Sequence, residues 1–372
     1  MKHDTVVVGA GLAGCAAARF LAEAGADVLL VDSGGIGAGA SGRNGGFLFP
    51  QPAAWVNELL AESLEIYREL QDGPVPFDLR EWPMLLLAVE EAELPHAQAY
   101  ADAVGGEAFD LREDPWFADD LAGAFVVEGG WTLDPMSATT AMAEAARRAG
   151  VELRLGCETK RILLDGERVT GVATDAGVVS CARVVIATGP RLRFLLRTSA
   201  VDLAVNASRG WLLETARVDP PPRFAIEQAL WPVQDAMAEL VGGRTLAQVA
   251  REPEKEGMVS LLLGGRPSGH CLIGTSLQRS IFEEPEGPET VQRLAERAAR
   301  VSPVLREVPV VASWSGRRSH TPDGLPAVGD VPGVEGLTVA GGFSSIGMVT
   351  IPAACRRLVQ GGADAFDPGR FA

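Results

Sequence analysis

The sequence predicts a mixed α/β fold with two domains, and its length and two glycine-rich stretches support this. At 372 residues the chain exceeds the size at which one hydrophobic core usually suffices. Residues 5–32 read as a strand, a glycine turn, a helix and a second strand that ends in an acid. Residues 337–359 repeat the order of strand, glycine-rich turn and helix near the end of the chain. The first stretch has the order of a Rossmann-like dinucleotide-binding unit.

The turn after the first strand has the spacing of a dinucleotide-binding motif. Gly9 allows the tight turn, Gly11 lets the backbone approach a pyrophosphate, and Gly14 lets the helix pack closely on the strand. The free N–H groups and the dipole of the helix N-terminus then favour the phosphates. Asp32 is placed to accept hydrogen bonds from the ribose hydroxyls of an adenosine. A dinucleotide site is predicted here, and the alternative is a fortuitous glycine turn.

Composition indicates an ordinary globular protein, with 47% hydrophobic and 22% charged residues. The formal net charge of −16 argues against nucleic-acid and anionic-membrane partners, because no basic stripe is available. The five cysteines are scattered and form no CxxC pair, so we expect buried thiols in a reducing compartment and no metal site. Charged residues and glycines interrupt the apolar stretch 6–30, which excludes a membrane span there. Without a signal-peptide pattern, a cytoplasmic location is expected.

Three further stretches offer backbone that can approach a bound group. The loop at residues 33–46 is rich in Gly, Ser and Ala, so a flat or extended group can lie against it; a flexible connector is the alternative. Gly189 follows a buried run in the sequence ATGP. Residues 341–348 read GGFSSIGM and precede the final helix, whose N-terminus can hold an anion or a carbonyl.

The rest of the chain predicts alternating helices and short strands. Apolar spacing predicts helices at 55–70, 90–104 and 135–148, the last capped by Asp134, and a charged amphipathic helix at 291–301. Runs of apolar and β-branched residues predict strands at 84–89, 160–164, 169–174, 178–180, 184–186, 260–263, 271–275 and 337–340. A Pro/Gly-rich loop is expected at 314–336.

With these residues in hand, the chain resembles the FAD-dependent amine and amino-acid oxidoreductases of the D-amino-acid oxidase, glycine oxidase and sarcosine oxidase group. The resemblance implies a discontinuous Rossmann-like FAD-binding domain of residues 1–80, 140–204 and 311–372. It also implies an α+β substrate-binding domain on a mainly antiparallel sheet, formed by residues 81–139 and 205–310. The motifs that carry it are GAGLAG at 9–14 with Asp32, GASGRNGG at 39–46, ATGP at 187–190, SRG at 208–210, WSGRRSHTPDGLPAVG at 314–329 and VAGGFSSIGM at 339–348.

The resemblance assigns the glycine turn to the ADP half of FAD, the 41–46 loop to the ribityl chain, and residues 342–348 to the isoalloxazine ring. The dipole of the final helix would stabilise the reduced, anionic flavin. The predicted cofactor-binding residues are Gly9, Gly11, Leu12, Ala13, Gly14, Asp32, Ser33, Ser41, Arg43, Asn44, Gly45, Gly46, Thr159, Gly189, Gly342, Phe343, Ser344, Ser345, Ile346, Gly347 and Met348.

The resemblance also places Arg318 at the substrate. A guanidinium forms two parallel hydrogen bonds to a carboxylate and so fixes the α-carbon of the substrate. The alternative is a pair of solvated loop charges, and Arg317 is expected to be the exposed one. His320 is the second catalytic candidate, either lining the same pocket or hydrogen-bonding to a loop. Trp211 is expected to shape the roof of the pocket, and Trp314 to pack.

Two departures from the sarcosine oxidases bear on the chemistry. Gly316 stands where those enzymes attach FAD through a cysteine, which implies noncovalent FAD here. Residues 271–274 contain no lysine, whereas those oxidases use a lysine there for oxygen activation. Glycine oxidase-like members lack this lysine as well, so an oxidase is not excluded.

The resulting hypothesis is an FAD enzyme that oxidises a small amine or α-amino acid of the glycine, sarcosine or D-amino-acid type. Hydride transfer to flavin N5 would yield the imine. The electron acceptor would be O2, a quinone or a partner flavoprotein chain, and a homo-oligomer is left open. One alternative is a flavin dehydrogenase of a 2-hydroxy acid or polyol, with His320 as base. Another is a flavoprotein subunit that needs a partner chain.

Overall fold

The structure is a computed structural model that describes residues 3–229, 258–279 and 288–371. The parts of the expected mixed region 205–310 at residues 230–257 and 280–287 lie outside the described residues. Within the described residues the strands form a six-stranded sheet, an eight-stranded sheet and two three-stranded sheets. This arrangement confirms the predicted α/β class with a Rossmann-like sheet and a mainly antiparallel sheet.

The elements follow the predicted order, and short 3-10 turns connect several of them. The helices of the described residues are α1 Leu12–Glu23, α2 Ala54–Gln71, α3 Leu94–Val104, α4 Pro135–Arg148, α5 Leu192–Leu196, α6 Pro288–Val301 and α7 Gly347–Gln360. The strands are β1 Thr5–Val8, β2 Val28–Asp32, β3 Phe47–Leu48, β4 Arg80–Glu81, β5 Met84–Ala88, β6 Glu107–Phe109, β7 Gly123–Val127, β8 Trp131–Thr132, β9 Glu152–Leu155, β10 Thr159–Asp165, β11 Arg168–Thr174, β12 Gly177–Ser180, β13 Arg183–Ile186, β14 Asn206–Arg217, β15 Ala225–Gln228, β16 Met258–Gly265, β17 His270–Arg279, β18 Val310–His320, β19 Ala327–Asp330 and β20 Leu337–Gly341.

The six-stranded sheet has the order β19-β20-β13-β1-β2-β9 and is parallel except for the edge strand β19. Its central strands are continuous apolar runs because both faces are buried. Alternate residues of β1 enter different cores: Val7 faces α1, α2, α4 and α7, whereas Val6 and Val8 face the meander β10–β12. One layer of helices and one small sheet therefore cover the two faces. Asp134 caps α4 as predicted, by accepting a hydrogen bond from the Ser137 N–H at 2.8 Å.

The eight-stranded sheet has the order β18-β14-β17-β16-β15-β5-β7-β6 and is antiparallel except for the β15–β5 pair. One face packs on α6, and the other packs partly on α3. Residues 314–320, expected to be part of a loop, lie instead in β18, which pairs with β14 along most of its length. The loop prediction failed here because this partner strand is about a hundred residues away and leaves no local signal. The division into two domains stays a prediction.

No helix in the described ranges is both long and apolar enough to cross a membrane. All five cysteines are described, and each is a buried free thiol, as the sequence predicted.

The contact between β1 and α1 depends on Gly14. A Cβ atom on Gly14 would lie 1.7 Å from the carbonyl oxygen of Gly9, which is backbone and cannot rotate away. Gly14→Ala is therefore expected to lower the free energy of unfolding by about 1–3 kcal/mol, the usual cost of overpacking. Urea unfolding followed by circular dichroism measures this loss. Gly35→Ala is the control, because nothing lies within 4 Å of its Cβ position; equal destabilisation by both variants would contradict the account.

Candidate active site

A cavity of about 1530 Å³ lies between the carboxyl ends of the parallel strands and one face of the eight-stranded sheet. Val8, Asp32, Ala187 and Gly341 line it from β1, β2, β13 and β20 or directly after them. Ligands of open α/β sheets bind at this edge. The volume exceeds the roughly 300–1,000 Å³ of ordinary small-molecule pockets. The cavity is therefore large enough for an extended cofactor together with a substrate.

The glycine turn forms one end of the cavity. Gly9 has φ +110°, and a Cβ there would lie 2.5 Å from the Ala187 carbonyl oxygen, so only glycine fits between β1 and β13. The carboxylate of Asp32 is fixed by two backbone donors, Ala10 N–H to Oδ2 and Gly34 N–H to Oδ1, both at 2.7 Å. Each oxygen keeps accepting capacity, because a carboxylate oxygen has two lone pairs. The predicted ribose contact of Asp32 is thus geometrically open.

The loop at 33–46 is ordered by its own side chains. Ser41 Oγ accepts a hydrogen bond from the Leu12 N–H at 2.9 Å, which ties the loop to the start of α1. Asn44 donates to the carbonyls of Ala40 and Ser41 and accepts from the Gly46 N–H at 2.8 Å. The loop is a built wall of the cavity, and the alternative of a flexible connector finds no support in these contacts.

The C-terminal glycine-rich turn forms the opposite wall. Ser344 has φ +51°, and its N–H donates to the Ser319 carbonyl at 2.8 Å. The turn is thereby pinned to β18. Ile346 precedes the first residue of α7, so the positive end of that helix dipole opens on the cavity.

Most of the predicted cofactor-binding residues line this cavity, and three do not. Leu12 is fully buried and is hydrogen-bonded to Ser41 through its N–H. Gly14 packs on the Gly9 carbonyl, and the N–H of Gly342 donates to Ser319 Oγ at 3.2 Å. These three residues position the cavity wall without forming it. The predicted residues that line the cavity are Gly9, Gly11, Ala13, Asp32, Ser33, Ser41, Arg43, Asn44, Gly45, Gly46, Thr159, Gly189, Phe343, Ser344, Ser345, Ile346, Gly347 and Met348.

Two buried hydroxyls test whether the cavity fits a dinucleotide. Thr159 Oγ1 and Thr188 Oγ1 have no hydrogen-bond partner among the described residues, and both residues line the cavity. A buried unpaired hydroxyl is costly unless a ligand completes it. The residues present therefore fit a group rich in polar oxygens. Thr188, which precedes Gly189 in the ATGP motif, is not among the residues predicted from the sequence.

Arg318 lies on the edge strand β18, and its side chain extends across β14 to β17. Its guanidinium lies over Gly210 of β14, where a Cβ would approach Nη1 to 2.4 Å. Nη1 donates to the Ser276 carbonyl at 3.0 Å and Nη2 to Thr275 Oγ1 at 2.5 Å, both on β17. No carboxylate of the described residues forms an ion pair with Arg318. Burial lowers the pKa of Arg318 to about 10, so it remains a cation at neutral pH.

The solvated-loop alternative for Arg318 is wrong, because the side chain is held by two acceptors inside the cavity wall. Arg317 also differs from expectation. It is half-buried and lines the cavity rather than standing exposed, because β18 is an edge strand and the cavity extends along it.

His320 lies beside the cavity and not in its lining. It is 2% exposed, and its two ring nitrogens pair with the hydroxyls of Ser208 and Ser344. Burial and the positive charge of Arg318 lower the pKa of His320 to about 3, so the ring is neutral. A base for a hydroxy acid needs a free nitrogen that reaches the substrate, and neither ring nitrogen is free. His320 instead positions Ser344, which does line the cavity.

Trp211 and Trp314, for which the sequence analysis gave expectations, lie in different surroundings. Trp211 does not line the cavity, because Gly210 and Leu212 occupy the cavity-facing positions of β14 and alternation turns Trp211 to the core under α6. The expectation that it shapes the pocket roof is therefore wrong. Trp314 donates from Nε1 to the Arg43 carbonyl at 3.2 Å and so braces the 33–46 loop.

Glu227 is, after Thr188, a second candidate functional residue that was not predicted from the sequence. It lies on β15 and lines the cavity, and its carboxylate has no hydrogen bond or ion pair within the described residues. Burial raises the pKa of Glu227 to about 7. The signal in the sequence was a single acidic residue in the mostly apolar segment 224–229.

Comparisons with known proteins agree with this geometry. The glycine oxidase of Pseudomonas aeruginosa PAO1 is 28% identical over an alignment of 402 residues that covers 100% of this chain and 99% of that protein. The 4-methylaminobutanoate oxidase (formaldehyde-forming) of Paenarthrobacter nicotinovorans is 28% identical over 98% of this chain and 44% of that protein. The crystal structure of glycine oxidase from Geobacillus kaustophilus has a TM-score of 0.83 at 25% identity and covers 100% of this chain and 98% of that one. The DAO family of FAD-dependent oxidoreductases matches residues 4–360. The chain therefore belongs to this family, and FAD is its cofactor.

Proposed function

We propose that the protein oxidises a small α-amino acid or related amine and holds the substrate carboxylate on Arg318. The observation that carries this proposal is a guanidinium in the cavity wall whose charge no described carboxylate neutralises. Burying an unpaired charge is costly, and an incoming carboxylate removes that cost. The two protein acceptors use only two of the five guanidinium N–H donors, so a bidentate contact to the ligand stays available.

The names of the relatives support the amine class. Two of the relatives described above are glycine oxidases, and the third is an oxidase of 4-methylaminobutanoate. Each of these named substrates carries both an amine and a carboxylate. A site with a fixed cation in its wall suits that chemistry.

When held by the lining residues given above, FAD would supply a two-electron acceptor for oxidation of the carbon that bears the amine. The protein supplies orientation and electrostatics. Arg318 fixes one end of the substrate, and its contacts to β17 across Gly210 keep the guanidinium from turning away. The N-terminus of α7 adds positive potential at the wall formed by residues 343–348. Neutral His320 holds Ser344 in that wall without adding a charge that would compete with Arg318.

Several finer points are part of the proposal. FAD is held noncovalently, since Gly316 at the cavity wall offers no thiol at the position that the resemblance singles out. The predicted contacts of FAD are the lining residues given above, with Thr188 added. The five free buried thiols fit a reducing compartment, the cytoplasm. The electron acceptor is O2, a quinone or a second flavoprotein chain.

Absorption spectroscopy under anaerobic conditions tests the proposed reaction. Glycine, sarcosine or another amino acid should bleach the oxidised flavin band of the purified protein, because the substrate delivers two electrons to bound FAD. Admission of air then distinguishes an oxidase, which recovers its absorbance, from a dehydrogenase, which needs another acceptor. Bleaching by 2-hydroxy acids alone would contradict the amine reaction, and no bleaching by any amine would favour a subunit that needs a partner chain.

The Arg318→Gln variant tests the carboxylate contact. The loss of a charge-assisted hydrogen bond is expected to cost about 1.5–3 kcal/mol, which raises KM for amino acids about 10- to 150-fold. Arg318→Lys keeps the positive charge but lacks the two parallel N–H donors of a guanidinium, so its KM should lie between those of the wild type and Arg318→Gln.

In the wild type, affinity for carboxylates should fall as pH rises through about 10, where Arg318 loses its proton.

Arg112→Gln is the matched control, because that arginine is 83% exposed and pairs with Asp110. Its KM values should match those of the wild type. If Arg317→Gln raised KM while Arg318→Gln did not, the assignment of the anchor would be wrong.

A further inference from the structure

The cavity-facing side of the eight-stranded sheet carries a carboxylate that the proposed reaction does not use. Glu227 lies on β15, and its cross-strand partners are Leu86 of β5 on one side and Leu262 of β16 on the other. Ala225 and Ala229 flank it along the chain and belong to the same apolar cluster. The carboxylate therefore has apolar cross-strand neighbours in this wall of the active-site cavity.

Two polar side chains near Glu227, those of Tyr100 and Gln228, form hydrogen bonds with other groups. The Tyr100 hydroxyl, which also lines the cavity, donates to the Pro50 carbonyl at 2.8 Å. The adjacent Gln228 donates to Glu93 at 2.7 Å and accepts from Arg297 at 2.9 Å. Within the described residues no donor reaches the Glu227 carboxylate, and burial alone raises its pKa to about 7. A cation beside this half-buried carboxylate would lower its pKa and stabilise the anion.

The register of the sheet sets the distance between Glu227 and the carboxylate anchor. Glu227 pairs with Leu262, and Leu262 pairs with Gly274 of β17. The Cα atoms of Glu227 and Gly274 are therefore two interstrand steps apart, about 10 Å. The Arg318 guanidinium binds Thr275, the next residue after Gly274. The backbone positions of Glu227 and of the residues that hold Arg318 are thus about 10 Å apart along one cavity wall, a separation that a chain of a few carbon atoms can span.

Aromatic rings complete the surroundings of the carboxylate. Phe49 is 4% exposed, and it lines the cavity together with Tyr100. Aromatic faces attract substituted ammonium groups, which carry their charge on an apolar surface. The wall around Glu227 therefore suits an ammonium group better than a neutral polar group.

We propose that Glu227 is a specificity residue that binds a second, non-reacting cationic group of the substrate, so that the preferred substrates are short diamino acids rather than glycine. This inference rests on the proposed function, in which Arg318 binds the carboxylate. The substrate then lies along the sheet with its carboxylate on β18 and β17 and its distal ammonium on β15. An analogue without the distal charge leaves Glu227 unpaired and is penalised.

The test compares two ligands of the same shape that contain no reactive amine. 4-(Trimethylammonio)butanoate carries a distal cation, and 5,5-dimethylhexanoate has carbon in place of the nitrogen. Binding to the FAD-loaded protein is measured by calorimetry and by perturbation of the flavin absorbance. The wild type should bind the cationic ligand at least tenfold more tightly than its isostere. Equal affinity, or preference for the isostere, would overturn the proposal.

Two variants assign the preference to Glu227. Glu227→Gln keeps the shape and should bring the affinity ratio of the two ligands to about one or below. Glu227→Leu should bind 5,5-dimethylhexanoate at least as tightly as the wild type does, which also shows that the cavity is folded. A cation preference that survives both substitutions would overturn the assignment.

Turnover provides the second arm of the test. Ornithine and norleucine differ by NH3+ against CH3 at the end of the side chain, and both enantiomers are compared. The wild-type kcat/KM ratio of ornithine to norleucine should fall at least tenfold in Glu227→Gln, while kcat/KM for glycine, which cannot reach Glu227, stays within threefold. If no amino acid is oxidised, the proposed reaction fails, yet the ligand pair still decides the role of Glu227. If amino acids are oxidised without charge preference, only the inference about Glu227 fails.

Discussion

The guanidinium of Arg318, held in the cavity wall, is the constraint on which the rest of the active site depends. A positive charge that has no counter-ion among the described residues can stay in a cavity wall only if its hydrogen bonds are satisfied and its position is fixed. Both conditions are met by β17, whose Ser276 carbonyl and Thr275 hydroxyl accept from it. The guanidinium reaches them because Gly210 leaves the intervening strand without a side chain. The position of the Arg318 charge therefore depends on both the strand order β18-β14-β17 and Gly210. Among the described residues this charge has no anionic partner, and a bound ligand can supply one.

At the side of the cavity formed by the parallel sheet, several glycines allow close contacts between backbone segments. Gly9, Gly14 and Gly46 each lie where a Cβ would meet a carbonyl oxygen at 2.5 Å or less. The contacts of Gly9 and Gly14 bring the start of α1 against the parallel sheet, and the contact of Gly46 brings the end of the 33–46 loop against Leu133, between β8 and α4. Ser41 joins the loop to α1 by its hydrogen bond to the Leu12 N–H. The result is a long channel of backbone donors and acceptors at the carboxyl edge of the sheet, as a dinucleotide requires.

The sequence predicted features that depend on a residue's nearest neighbours. The glycine turn with Asp32, the capped helix α4 and the turn before α7 are of this kind, because glycine geometry and helix starts are set within a few residues. The features it missed depend on pairing between distant strands. Residues 314–320 looked like a loop until β14 paired with them, and only that pairing shows that Trp211 turns away from the cavity. Glu227 is visible as a cavity residue only when β5 and β16 lie beside it.

The central claim is that Arg318 holds the carboxylate of the substrate beside bound FAD, and a crystal structure with a carboxylate ligand tests it most directly. The FAD-loaded protein soaked with 5,5-dimethylhexanoate should show both carboxylate oxygens about 2.7–2.9 Å from the Arg318 guanidinium nitrogens. Thr275 and Ser276 should keep their contacts to the same side chain. A ligand carboxylate bound at Arg317 or Arg43, with Arg318 left without an anion, would contradict the account.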